Sequence, residues 1–129
     1  MRLVRAMLVL PAVAATAACQ TWGPTWSEVS GDRYNRAIAL RQPAIIENID
    51  GKSAYPTRPI KIDPGTHVIE ISAVAPRPRP GGSPLKTITV DVKPCKLYYI
   101  NAQYQNSVDY DYQPVIDYVQ DVPGCKAVG

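Results

Sequence analysis

From residue 34 onward, apolar and polar residues alternate at every second position, the period of a half-buried strand rather than of a helix. In "YNRAIALR", Tyr34, Arg36, Ile38 and Leu40 share one face. Pro43 breaks that run or confines it to an edge. "AIIENIDGK" follows as a second strand, closed by the turn pair Asp50-Gly51. "RPIKIDPGTHVIEISAV" predicts a hairpin. Ile60 and Ile62 alternate with Lys61, Asp63-Pro64-Gly65 turns the chain, and Ile69, Ile71 and Ala73 line one face of the return strand.

"APRPRPGGSP" suits neither a helix nor a central strand and reads as an extended, polyproline-like loop. In "LKTITVDVK", Ile88, Val90 and Val92 oppose Thr87, Thr89 and Asp91. In "KLYYINAQYQ", Tyr98, Ile100, Ala102 and Tyr104 oppose Tyr99, Asn101 and Gln103. A polar loop, "NSVDYDYQ", leads to a last strand, "PVIDYVQDV". About seven strands, turn signals every 8–12 residues and no long amphipathic helix predict an all-β fold. The expected architecture is a small antiparallel β-sandwich over residues 34–129.

The opening segment has a different pattern. Arg2 and Arg5 precede the apolar run "AMLVLPAVAA" and the small residues "TAA", so Met1 to Ala18 reads as a signal peptide. The apolar run falls short of the roughly 20 residues that cross a bilayer. "TAAC" resembles the lipobox of bacterial lipoproteins, which implies that Cys19 becomes the first residue and carries the lipid. Thr16 departs from the leucine usual in that motif, which leaves simple cleavage at the same small residues, or an uncleaved anchor, as alternatives. Gln20, in place of the aspartate that resembles an inner-membrane retention signal, implies the outer membrane and a periplasmic domain. Residues 19–33, with Trp22 and Trp26, read as the lipidated cysteine and a tether. Trp26 is expected to dock under the sheet, and Trp22 to touch the membrane interface.

Removing Cys19 leaves Cys95 and Cys125 as an even pair for an oxidising compartment. A bridge between them would close a loop of roughly 30 residues, a contribution of about 3–4 kcal/mol in the chain-entropy model. Two free buried thiols are the alternative. The net charge of +3 also shrinks, since 12 basic residues then face 11 acidic ones. No basic field remains to attract nucleic acid.

"IENIDGK", "IDPGTHVIEI" and "KPCKLYYINAQY" together resemble the small envelope domains of the PEGA type and their carbohydrate-binding-like lipoprotein relatives. The matching positions are Asp50-Gly51, Pro64-Gly65, His67 and Tyr98-Tyr99-Ile100, within residues 44 to 106. The resemblance implies a largely non-catalytic envelope protein. The "PRPRPGGSP" insertion and the Cys95/Cys125 pair depart from that pattern, so it names no shared partner.

Candidate chemistry is sparse. His67 is the one histidine, so any serine or cysteine hydrolase mechanism must use it. Ser53, Ser72 and Ser83 have no GxSxG context. His67 and Glu70, three apart on a strand, point to opposite faces and make no metal pair. Asp109, Asp111, Asp117 and Asp121 interleave with Tyr110, Tyr112 and Tyr118. Calcium wants several oxygens from one tight loop, but "DYDYQPVID" lacks the EF-hand glycine and terminal glutamate, so a chance acidic loop is the simpler reading. Tyr110 and Tyr112, exposed beside Asp109 and Asp111, would stack on sugar rings. The plainer alternative packs Tyr104 and Tyr118 in the sandwich and leaves Tyr110 and Tyr112 on a loop. Arg77 and Arg79 are either solvated charges on a stiff spacer or a grip for an acidic partner.

These residues predict no enzyme, no cofactor and no metal. They predict a membrane contact through lipid on Cys19 and a protein partner in the envelope, with a glycan or peptidoglycan as the alternative ligand.

Overall fold

"KLYYINAQY" is buried along almost its whole length, and it becomes the middle of a sheet. In the computed structural model, which describes residues 25–54, 59–74, 82–108 and 110–126, nine strands form two sheets and no helix is present among those residues. The first sheet contains β1 (Ser27–Ser30), β2 (Arg41–Gln42), β5 (Ile60–Ile62), β8 (Lys96–Tyr104) and β9 (Tyr112–Asp121). The second contains β3 (Ala44–Ile49), β4 (Lys52–Ser53), β6 (Gly65–Ala73) and β7 (Lys86–Val92), in the order β4-β3-β6-β7. β9 runs antiparallel along the whole of β8, from Lys96↔Asp121 to Tyr104↔Tyr112. The other edge of β8 is shared by β1, parallel to it, and β2, antiparallel to it.

The core lies between the sheets. Ile69, Ile71 and Ala73 of β6, Val90 and Val92 of β7, and Tyr98, Ile100, Ala102 and Tyr104 of β8 all face it, as alternation predicts. The chain is an all-β sandwich.

Three expectations change. The first is the tether. Ser27–Ser30 is a strand held between β8 and β5, so the folded domain begins by residue 27 rather than 34. Val29 is fully buried there, and Ser27 Oγ donates to Lys93 O (2.5 Å) and accepts from Lys96 N (3.3 Å). A serine that satisfies buried backbone groups can sit in a core position.

The second is "YNRAIALR". Residues 34–40 form turns and bends, with Ile38 and Leu40 exposed and Leu40 at φ 62°. Asn35 is the cause: its Oδ1 accepts from Ala37 N (2.9 Å) and its carbonyl accepts from Ile38 N (3.2 Å). Such local bonds compete with a strand ladder.

The third is the hairpin. β5 pairs with β1 in the first sheet, whereas β6 pairs with β3 and β7 in the second. Asp63-Pro64-Gly65 therefore carries the chain from one sheet to the other, with Gly65 at φ 130°, a conformation that suits glycine. β5 is only three residues long, and β1 already occupies one of its edges.

The outer face of β8 is buried too, so the strand has no solvent side. Residues 31–41 cover Asn101 and Gln103: Asn101 Nδ2 donates to Gly31 O (3.1 Å), and Gln103 Nε2 to Ala39 O (2.9 Å). Leu97, Tyr99 and Val122 make a second small cluster, with Cys125 packed against it.

Candidate functional site

The two ends of the sandwich differ in what they carry. At one end, Cys95 and Cys125 form a disulfide with Cα atoms 5.5 Å apart. Val122 N donates to Cys95 O (2.9 Å), and Cys125 Sγ lies 3.6 Å from Trp26 O. The first described residues therefore lie beside the disulfide. Trp26 is docked there: its ring lies under Lys61 Nζ at 3.8 Å, and its Nε1 donates to Glu28 Oε1 (3.3 Å). Trp22 and Cys19 lie outside the described residues.

At the opposite end, residues 105–108 follow β8, residues 110 and 111 precede β9, and residues 82–85 lead into β7. Leu85 is 55% exposed and Val108 81% exposed, with Val74 and Tyr110 also at the surface. Lys86 and Asp111 pair at 2.6 Å, and that bond and its charge hold the Asp111 carboxyl below the usual range. Arg77, Arg79 and Asp109 lie outside the described residues.

The expected tyrosine pair is not a surface platform. Tyr110 is 43% exposed, but Tyr112 is 1% exposed, the first residue of β9 rather than a loop residue. Its hydroxyl reaches the carbonyl oxygens of Ile71 (3.0 Å) and Pro84 (2.5 Å), and its ring tilts against Tyr104 at 5.7 Å. Burial pushes its pKa up to about 12. Tyr118, expected inside, instead stacks on Tyr99 at 4.3 Å on the outer face of the first sheet and is partly exposed.

The aspartates disperse as well. Asp117 has a fully buried side chain that pairs with Arg41 and accepts from Asn35 N (2.8 Å). Asp121 pairs with Lys96. Among the described residues, no three His, Cys, Asp or Glu side chains are placed to share a metal ion. The acidic spacing in the sequence is thus spent on separate ion pairs.

A further feature was not legible in the sequence. Between the edges of β4 and β5 lies an open cleft of about 750 Å³, with Ile49, Ile60 and Ile62 among its apolar lining and Lys52, Lys61 and Asp63 among its charges. His67 stands on its wall. Nδ1 bonds Asp50 Oδ2 at 2.5 Å and Nε2 bonds Asp63 O at 2.7 Å. The other Asp50 oxygen accepts from Val68 N (2.8 Å). That backbone bond, and then the bond from His67, hold the Asp50 carboxyl below its ordinary value. Ser53 lines the same cleft. The two acceptors bonded by His67 are Asp50 and the Asp63 carbonyl, not Ser53.

No known protein family matches the chain, and no curated protein or solved structure is significantly similar to it.

Proposed function

We propose that the chain is a non-catalytic, lipid-anchored protein of the bacterial cell envelope. Cys19 holds it to the outer membrane, and the domain in the periplasm binds a protein partner. The binding surface is the end of the sandwich formed by residues 82–85, 105–108 and 110–111. One observation carries this reading. The described chain starts at the disulfide end, while exposed Leu85, Val108 and Tyr110 stand at the opposite end. A tethered domain so arranged offers its apolar loops away from the membrane. Apolar and aromatic side chains supply most of the energy of protein interfaces.

Three further features support it. Cys95 and Cys125 lie at bonding distance, which suits an oxidising compartment. Both nitrogens of the sole histidine lie within bonding distance of acceptors, an arrangement that speaks against its use as a hydrolase base. The burial of Tyr112 removes half of the stacking platform that sugar binding would use.

The test is photo-crosslinking in cells, with a photoreactive residue at Leu85 or Val108 and a control at exposed Ile45 on the outer face of the second sheet. Capture of one envelope protein at the first two positions and not at Ile45 is expected. Recovery with cell-wall material, and no protein captured at any position, would replace this reading with glycan binding. The mass of the Cys19 peptide from the same cells, acylated or bare, decides the anchor.

A further inference from the structure

His67 sits where three segments meet. It lies on β6, faces the turn after β3 through Asp50, and faces the crossover after β5 through the Asp63 carbonyl. Both of its partners are acceptors. A neutral imidazole carries one N–H, so it satisfies only one of them; an imidazolium carries two and satisfies both. Asp50 is itself locked to β6, with Asp50 N donating to Val68 O (2.8 Å) and Asp50 Oδ1 accepting from Val68 N (2.8 Å). The carboxylate cannot turn away from the ring without breaking that pair.

We propose that His67 is a proton-operated clasp: as imidazolium it ties the β3–β4 turn and the β5–β6 crossover together along the wall of the cleft, and loss of its proton frees one side. The cleft would then loosen at the β4 and β5 edges, which have no strand partner on their cleft side among the described residues. The charges facing the ring fit this role. Asp50 on the turn and Asp63 on the crossover favour the imidazolium, while Lys52 on β4 and Lys61 on β5 line the same cleft. Across the ladder, β7 presents Val90, which is apolar and buried.

Partial burial works against a charge on the ring, but the bonds to Asp50 and to the Asp63 carbonyl outweigh it, so His67 titrates above 6.5. The sign follows. While Asp50 is ionised, the stability the clasp contributes is complete below pH 6.5, the value in the unfolded chain, and is lost as pH rises through the higher folded value.

Because the chain has one histidine, its ring resonances are unambiguous in nitrogen-resolved NMR of the purified full chain in micelles. The expected result is a ring midpoint above 6.5, with the amides of Asp50, Val68, Lys52 and Ser53 shifting at the same midpoint. The protection factors of the Lys52 and Ser53 amides, with the base-catalysed rise of intrinsic exchange removed, should fall roughly threefold to tenfold above it, the equivalent of one lost hydrogen bond. A midpoint at or below 6.5, or a raised midpoint with those amides unmoved, overturns the proposal. Asp50→Asn keeps an oxygen for Val68 N but removes the charge, so the midpoint and the linked amide shifts should fall together. An unchanged midpoint in that variant also overturns it. His67→Gln should abolish the linked shifts.

Discussion

Tyr112 is a core residue in a polar neighbourhood. Its flanks, "DYDYQP", gave it the look of a loop tyrosine, because local polarity reports where the chain is solvated and not where one side chain turns inward. What settles its position is the pair of carbonyls, Ile71 and Pro84, contributed by another sheet and another loop. Tyr112→Phe keeps the ring and leaves those oxygens without the hydroxyl, at a cost of about 1–2 kcal/mol. Urea unfolding of the variant measures it. The raised pKa adds a pH signature. Unfolding releases a phenol that ionises near 10 from one that ionises near 12, so the stability it contributes is complete below pH 10 and lost as pH rises through 12. The difference in melting temperature between wild type and Tyr112→Phe should therefore narrow across that window. A constant difference from pH 8 to pH 11.5 would show that the phenol is not held in the core as described.

At the level of elements, most strands were readable from their own alternation, and the partners they take from afar were not. The alternation in β7 and on the core face of β8 is a local property, so its apolar phase was correct. A turn signal such as Asp63-Pro64-Gly65 says that the chain reverses, and nothing about which sheet takes it next. Strand β1 offers four residues, "SEVS", too few to show a period, and its place depends on β8 lying 66 or more residues later. The segment over residues 31–41 is fixed in the same non-local way. Asp117 lies at the irregularity where β9 shifts register against β8, between Ile116 and Tyr118, and its buried carboxylate pairs with Arg41. No periodicity connects residues 76 positions apart.

Removing one partner of such a pair strands the other. Asp117→Ala should cost about 3 kcal/mol and speed amide exchange in residues 35–41, whereas Asp117→Leu with Arg41→Met should restore most of the loss. If Asp117→Ala unfolds at the wild-type urea midpoint, the pair does not hold this segment. Gly31 anchors the same region for a steric reason, since a Cβ there would meet Ala44 O at 2.1 Å. Gly31→Ala must move one of the two strands it joins, so it should destabilise by several kcal/mol, roughly the range of overpacked cores. Urea unfolding checks that value as well.

The whole molecule is polarised along its strands, and that property sets how it would stand on a membrane. The disulfide, Trp26 and the start of β8 mark one end, and the loops flanking β7 and β9 mark the other. β8 has nine residues, so at ~3.3 Å per residue the ends are roughly 30 Å apart. A chain held by lipid on Cys19 has six residues between the anchor and Trp26, at most about 25 Å of extended chain. The disulfide end must then stay near the headgroups, while the loop end is free to point outward or lie down. With the proposed lipid anchor in place, Trp26 under Lys61 at the disulfide end, an aromatic and cationic pair suited to a membrane interface, would favour the outward posture. With the lipidated protein in vesicles, a fluorescent unnatural residue at exposed Pro123 should be quenched by a lipid-phase quencher, and one at Val108 should not. Equal quenching at both positions would mean that the domain lies flat, with its apolar loops covered by lipid rather than offered to a protein. In that case Leu85 and Val108 would be membrane contacts, and crosslinks from them would find acyl chains.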